Sequence, residues 1–203
     1  MARIRTPYKK SAASRQSVLD AAIATLARRG IQATSVKDIA DAAGLSKGAV
    51  HYHFESKDEL LERVLEQCCE RIEKRITNVF DEPGPPLDRI RRALFEMWAV
   101  RRDLSPEFRV LMDIQVVARQ SPAMARALGA ALARSRQQMI EVGLAPFVAL
   151  GLRPKVSLEI IPRLILATLD GLAVHQAVDP IAPEDEALLL RALEATALAL
   201  FEI

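Results

Sequence analysis

Between residues 30 and 56 the chain is punctuated in a way that leaves room for short helices and little else. Gly30 closes one apolar helical pattern, Ser35 opens a second, Gly44 breaks it, Ser46 opens a third and Ser56 a fourth. Glycine supplies the left-handed residue that ends a helix, and serine supplies the hydroxyl that satisfies its orphan N-terminal amides.

The apolar positions fit that punctuation. From Ser14 onward Val18, Leu19, Ala22, Ile23 and Leu26 recur at helical spacing, which predicts a first helix of about four turns. Ser35-Val36-Lys37-Asp38 reads as a capping box, followed by apolar Ile39, Ala40 and Ala43. Leu45 plugs the turn after Gly44, and the helix capped by Ser46 runs towards Tyr52 or Phe54, giving a helix-turn-helix over residues 35–54. A second capping box, Ser56-Lys57-Asp58-Glu59, opens a long helix with the stripe Leu60, Leu61, Val64, Leu65, Cys68, Ile72, Ile76 and Val79.

The remainder is also helical in pattern. Three prolines and a glycine make a loop of residues 81–86, and helices are expected over about 87–103, from Ser105-Pro106, and from Ser121-Pro122 to about Leu150. Gly143 and Pro146 should kink or shorten the last of these. Two more helices follow, over about 158–178 and from Pro183, where Glu184, Asp185 and Glu186 suit the helix dipole. With 4% aromatic residues and many Ala and Leu, the expected fold is all-α, about nine helices in all. It comprises an N-terminal three-helix domain over 1–56, with a basic arm at 1–13, and a larger helical domain over 57–203.

Charge divides the chain similarly. The formal charge is +2 overall, but residues 1–56 carry nine Lys/Arg against four Asp/Glu, and the rest carries 19 against 22. A basic module attached to an acidic one points to a polyanion partner, with double-stranded DNA the first candidate. No segment approaches the roughly 18 uncharged apolar residues of a membrane span. Leu164–Val178, the most apolar stretch, contains Asp170 and His175. Cys68 and Cys69 are adjacent and form no disulfide framework, which fits a reducing, cytoplasmic compartment. The basic N-terminus has the composition of a transit peptide, but the helix behind it favours a structured reading.

A helix-turn-helix places the start of its second helix in the major groove, so base-reading positions should be Ser46, Lys47, Gly48 and Ala49. Thr34 and Ser35, at the start of the preceding helix, His51, Tyr52 and Lys57 complete the expected DNA contacts. Gly48 inside a helix costs about 1 kcal/mol relative to Ala, so something should require the missing side chain. Lys57 sits at a helix N-terminus, a natural phosphate site. His51 and His53, two residues apart on a helix, point to different faces and make no metal site. Arg3 and Arg5 either enter a minor groove or belong to a solvated tail.

Ala33–Ala43, ATSVKDIADAA, followed by Gly44–Leu61, GLSKGAVHYHFESKDELL, resembles the reader of the TetR (tetracycline-repressor-like) family over about 45 residues with the first helix included. The family usually has Leu-Tyr-His or similar in the middle of the third helix, where this chain has Val50-His51-Tyr52-His53. By resemblance a phosphate role often filled by tyrosine falls on His51, with Tyr52 one place later. The stretch Leu169-Asp170-Gly171-Leu172 is similar to a recurrent piece of the family's penultimate helix.

The resemblance further implies a repressor that binds a palindromic operator as a homodimer and is released by a small-molecule effector. Its pocket would be built mainly from helices between residues 87 and 178, with no cofactor. Candidate lining residues are Phe95, Met97, Trp98, Phe108, Met112 and Met139, with Gln115 and His175 as polar anchors. The last two helices are apolar on more than one face, so Leu169, Leu172, Gln176, Leu189, Leu193 and Leu200 are candidates for a twofold dimer interface; burial inside one monomeric bundle is the alternative. Two other function classes fit such a chain less well. An enzyme would need Asp113, Asp170, His175 and Glu159 to gather in a cleft, but no glycine loop, nucleophile elbow or metal pattern accompanies them. A ligand-independent DNA binder leaves the large acidic domain unexplained.

Overall fold

The computed structural model describes residues 7–202, with side chains from Ala12. The polypeptide forms α1 (Pro7–Arg29), α2 (Val36–Ala42), α3 (Lys47–His53), α4 (Lys57–Thr77), α5 (Pro86–Arg102), α6 (Pro106–Ala118), α7 (Pro122–Gln138), α8 (Ala145–Ala149), α9 (Ile160–Gln176) and α10 (Pro183–Leu198). Apart from the five-residue α8, that makes nine helices among the described residues, and the all-α expectation holds.

Helix α1 begins seven residues earlier than the periodicity suggested, so Lys9 and Lys10 belong to it and not to an extended arm. Proline at its start is compatible with the first helical turn, where the missing N–H is an orphan anyway. Arg3 and Arg5, the residues expected to reach a minor groove, lie outside the described residues.

The backbone divides into two compact units. The first holds the chain up to Arg71 together with Pro106–Ala131. Its core takes Val18, Ala22, Ile23 and Leu26 from α1, Ile39 and Ala40 from α2, and Val50 and Phe54 at the end of α3. Leu60, Leu61, Val64, Leu65 and Cys68 of α4 and Val110 and Ile114 of α6 complete it. A fully buried Leu or Ile contributes about 1.5–3 kcal/mol, so α6 is an integral part of this unit. The sequence division at residue 56 follows charge and capping; packing groups α6 with the N-terminal helices because Val110 and Ile114 are fully buried among them.

The second unit comprises Ile72–Ser105 and the chain from Leu132 on. Leu94, Met97, Trp98 and Val100 of α5, Ile161, Leu169 and Ala173 of α9 and Leu190 and Leu193 of α10 are buried here. Arg101, 7% exposed, donates through Nε to Asp170 Oδ1 at 2.7 Å and through Nη1 to the Met97 carbonyl at 2.9 Å. A buried guanidinium is tolerable only with such partners. Arg102 pairs with Glu186 at 2.6 Å and Arg91 with Glu194 at 2.9 Å, tying α5 to α10. Beyond Gln138 the helix widens into a π-helical turn, Met139–Leu144, before continuing as α8. Pro146, which has no N–H to donate back, accounts for the break that the sequence anticipated. One feature was not anticipated: Arg153–Pro154 (β1) pairs antiparallel with Phe201–Glu202 (β2), and the buried Phe201 anchors the C-terminus.

Candidate nucleic-acid interface

Three short-range devices hold the helix-turn-helix in shape. Ser35 and Asp38 form the expected capping box on α2, each bonding the other's backbone N–H. Bonds from Ser35's hydroxyl and amide, and then from Arg29 at 2.8 Å, hold the Asp38 carboxyl well below the usual carboxylate range. Gly44 adopts φ +67°, a conformation that glycine takes without strain, and Leu45 N–H returns to the Ala40 carbonyl at 2.9 Å. Ser46 then caps α3 by accepting from Ala49 N–H at 3.1 Å.

Helix α3 is anchored from beneath by Val50 and Phe54, 1% and 2% exposed. Arg15 stacks over the Phe54 ring at 5.1 Å, and His53 Nε2 hydrogen-bonds Ser14 Oγ at 3.0 Å. Anchoring on those positions turns Ser46, Lys47, Gly48, His51 and Tyr52 to solvent, with Ala49 half-buried at the edge. Tyr52 is 79% exposed, its ring meeting His53 edge-on at 5.2 Å. A Cβ added to Gly48 would approach nothing nearer than Ser46 Oγ at 3.8 Å. The fold itself therefore gives no steric reason for a glycine there.

Beside α3 lies an open groove of about 520 Å³ lined by Gln32–Asp38, Lys47, His51 and Lys57. Three lysines face one aspartate along it, so it favours an anion. Lys37 and Gln32, which are not among the contacts expected from the sequence, also line this groove; the position of Lys37 in the first turn of α2 is the signal the sequence offers.

Two expected contacts have other partners. Thr34 is 1% exposed and its hydroxyl donates to the Gly30 carbonyl at 2.7 Å, so it supports the turn and is withdrawn from solvent, contrary to expectation. The Lys57 ammonium donates to the carbonyls of Ile31 at 3.0 Å and Thr34 at 2.6 Å.

The effector candidates divide between the units. Phe108, buried, and Met112 and Gln115, half-buried, belong to the first. Met97 and Trp98, buried, Met139, half-buried, and Phe95 and His175, exposed, belong to the second. The Trp98 indole N–H is buried and meets no acceptor among the described residues. Of the interface candidates, Leu169 and Leu193 lie inside the second unit's own core at 0% and 5% exposure and are unavailable to a partner. Gln176, half-buried, accepts Ile181 N–H through Oε1 at 2.7 Å. Leu172 and Leu200 are half-buried and Leu189 is 37% exposed. Of the three carboxylates a catalytic cleft would need, Asp113 accepts Ile31 N–H and Asp170 pairs with Arg101, while Glu159 is exposed.

An all-helical chain in which a short capped helix follows a tight turn and shows solvent a lysine, a glycine, a histidine and a tyrosine is a helix-turn-helix protein. Residues 18–64 match the family model for bacterial regulatory proteins of the tetR family. The chain is 37% identical over 76 residues to the HTH-type transcriptional repressor KstR2 of Mycobacterium tuberculosis, a stretch covering 37% of this chain and 38% of that protein. It is 26% identical over 171 residues to the HTH-type transcriptional regulator PksA of Bacillus subtilis, covering 82% and 80% of the two chains. A transcriptional regulator from Rhodococcus sp. Rha1 superposes with a TM-score of 0.72 at 27% identity over 93% of this chain and 98% of that one. A TetR regulator from Haloarcula marismortui shares the fold with a TM-score of 0.72 at 22% identity, over 94% and 100%. The likeness to the tetR family model lies in residues 18–64, and the matched stretch spans 38% of the length of the KstR2 repressor. Among the described residues no helix is long and apolar enough to cross a membrane.

Proposed function

We propose that this chain is a ligand-responsive transcriptional repressor that binds a palindromic DNA operator as a homodimer. Functionally it divides at residue 56, into a DNA reader and an effector and dimer domain. The observation that carries the reading is the solvent face of α3, where Lys47, Gly48, His51 and Tyr52 stand together over a buried Val50 and Phe54. An α-helix fits the major groove, and a glycine lets the backbone come close to bases or phosphates. Ser46, Lys47 and Ala49 face base edges, and Ser35, Lys37, His51 and Tyr52 face the phosphates.

Dimerisation is assigned to the exposed apolar residues of the last two helices and the segment between them. Val174 at 60%, Val178 at 83%, Leu188 at 60% and Leu189 at 37% exposure supply a surface that a second copy would cover across a twofold axis. The effector is assigned to the second unit, where the unpartnered Trp98 N–H supplies a donor for an acceptor group on the ligand. An effector that prefers the conformation in which paired α3 helices no longer match grooves about 34 Å apart would release the operator.

The test is selection of duplexes from a random library by the full-length protein, followed by titration of wild type and a Lys47→Ala/Tyr52→Ala variant. Enrichment of a palindrome bound by two chains, with binding lost in the variant, supports the reading. No enriched sequence at low salt, or equal binding by the variant, overturns it.

A further inference from the structure

The turn between α1 and α2 is gripped by two ionic side chains from elsewhere in the first unit. From α6, Asp113 accepts the Ile31 N–H through Oδ2 at 3.2 Å. From the start of α4, Lys57 donates to the carbonyls of Ile31 and Thr34, at 3.0 and 2.6 Å. The carboxylate thus takes the donor of Ile31 while the ammonium takes its acceptor. The buried Thr34 hydroxyl closes the turn on the Gly30 carbonyl. Gly30 itself has φ +80°, and a Cβ there would lie 3.4 Å from the Asp113 carboxylate, so the carboxylate sits flush against the turn.

This grip is positioned to matter. The residue after Thr34 is Ser35, which caps α2, and α2 ends in the tight turn that sets α3. Charge-assisted hydrogen bonds are roughly twice as strong as neutral ones, and three of them converge on a five-residue turn. We propose that Asp113 and Lys57 are positioning residues for the DNA reader: they hold the 30–34 turn, and through it α2 and α3, in the DNA-binding geometry without themselves contacting the nucleic acid. The inference rests on the DNA-binding function proposed above. It replaces the expectation that Lys57 is a phosphate contact, because its ammonium already holds two backbone carbonyls.

The two roles separate by salt dependence. Removing a phosphate contact lowers the slope of log affinity against log salt by about one, whereas loosening the reader weakens binding and leaves the slope alone. Full-length wild type, Asp113→Ala, Asp113→Asn, Lys57→Met and Lys47→Ala are titrated with the duplex that wild type selects and with single-base variants of it, at several salt concentrations. Expected are about tenfold weaker binding for Asp113→Ala and Lys57→Met, equivalent to roughly 1.4 kcal/mol, with unchanged base preference and slope. Asp113→Asn should bind between wild type and Asp113→Ala, because its amide oxygen still accepts the Ile31 N–H without the charge that strengthens the bond. Lys47→Ala should lower the slope. Undiminished binding by Asp113→Ala, or a slope for Lys57→Met that falls with that of Lys47→Ala, overturns the proposal.

Amide hydrogen exchange at Ile31 decides it without DNA. Faster exchange in Asp113→Ala than in Asp113→Asn supports the grip, and equal exchange overturns it. That result stands even if wild type selects no sequence, in which case the DNA-binding reading alone falls. Should the alanine variant not fold, slow Ile31 exchange in Asp113→Asn and wild type supports the grip, and exchange as fast as that of solvent-exposed amides overturns it.

Discussion

Replacing Gly48 by alanine should make the protein more stable and a poorer DNA binder. The added methyl meets only Ser46 Oγ, at ordinary van der Waals distance. Gly48 does not need the left-handed conformation that glycine supplies elsewhere in the chain. The substitution therefore introduces no clash and removes the entropic cost of an ordered glycine, a gain of about 0.5–1 kcal/mol. For a chain of this size such a gain raises the melting temperature by roughly 1–4 °C. On the operator the sign reverses, because the methyl stands where the backbone of α3 should approach DNA; loss of that approach should weaken binding about tenfold, or roughly 1.4 kcal/mol. Thermal unfolding and operator titration of the same preparation measure both effects. A stabilised variant that binds as well as wild type would show that Gly48 is not reserved for DNA, and a destabilised one would refute the claim that the site is sterically open.

Leu188→Glu combined with Val174→Glu should convert a dimer to monomers while leaving the monomer folded, since both residues are exposed in the single chain; sedimentation beside circular dichroism reads both, and an unchanged dimer places the interface elsewhere. Asp170→Ala should cost about 2 kcal/mol in chemical denaturation, less than the ~3–5 of a fully buried pair because Asp170 is itself part-exposed; a loss within a few tenths would mean that the pair contributes only as a surface bridge does. The Asp38 carboxyl is depressed in the folded protein, so the capping box adds stability at every pH above the unfolded aspartate value of about 3.9 and loses it as pH falls through the lower, folded value. Asp38→Asn should accordingly flatten the acid limb of the stability curve, and an NMR titration placing Asp38 at an ordinary aspartate value would contradict this.

Local order was legible because its causes are local. Ser35, Gly44, Ser46 and Ser56 mark helix ends through bonds to residues three to five positions away, so their spacing alone defined α2, α3 and the start of α4. Helical spacing sets Val50 and Phe54 apart from Lys47, Gly48, His51 and Tyr52 on α3, and packing decides which of the two sets is buried. Charge, which is additive along a chain, marks residues 1–56 as basic without a structure, whereas packing joins them to α6. The π turn before Pro146 was likewise foreseen as a break, because the missing N–H is a property of the residue itself.

What the sequence left undecided was which partner each long-range group would take. Periodicity showed that Leu169 and Leu193 were apolar but not whether they would face their own core or a second chain, and packing buried both. Lys57 looked like a DNA contact by position, yet only tertiary structure brings the Ile31 and Thr34 carbonyls within its reach. Asp113 lies 82 residues from Ile31 in sequence, and no pattern within α6 announces that its carboxylate will hold the turn before the reader. A sequence states the chemistry each side chain brings and the helix face it occupies. Its partner is decided when helices pack, because a buried polar group must find one wherever the fold supplies it.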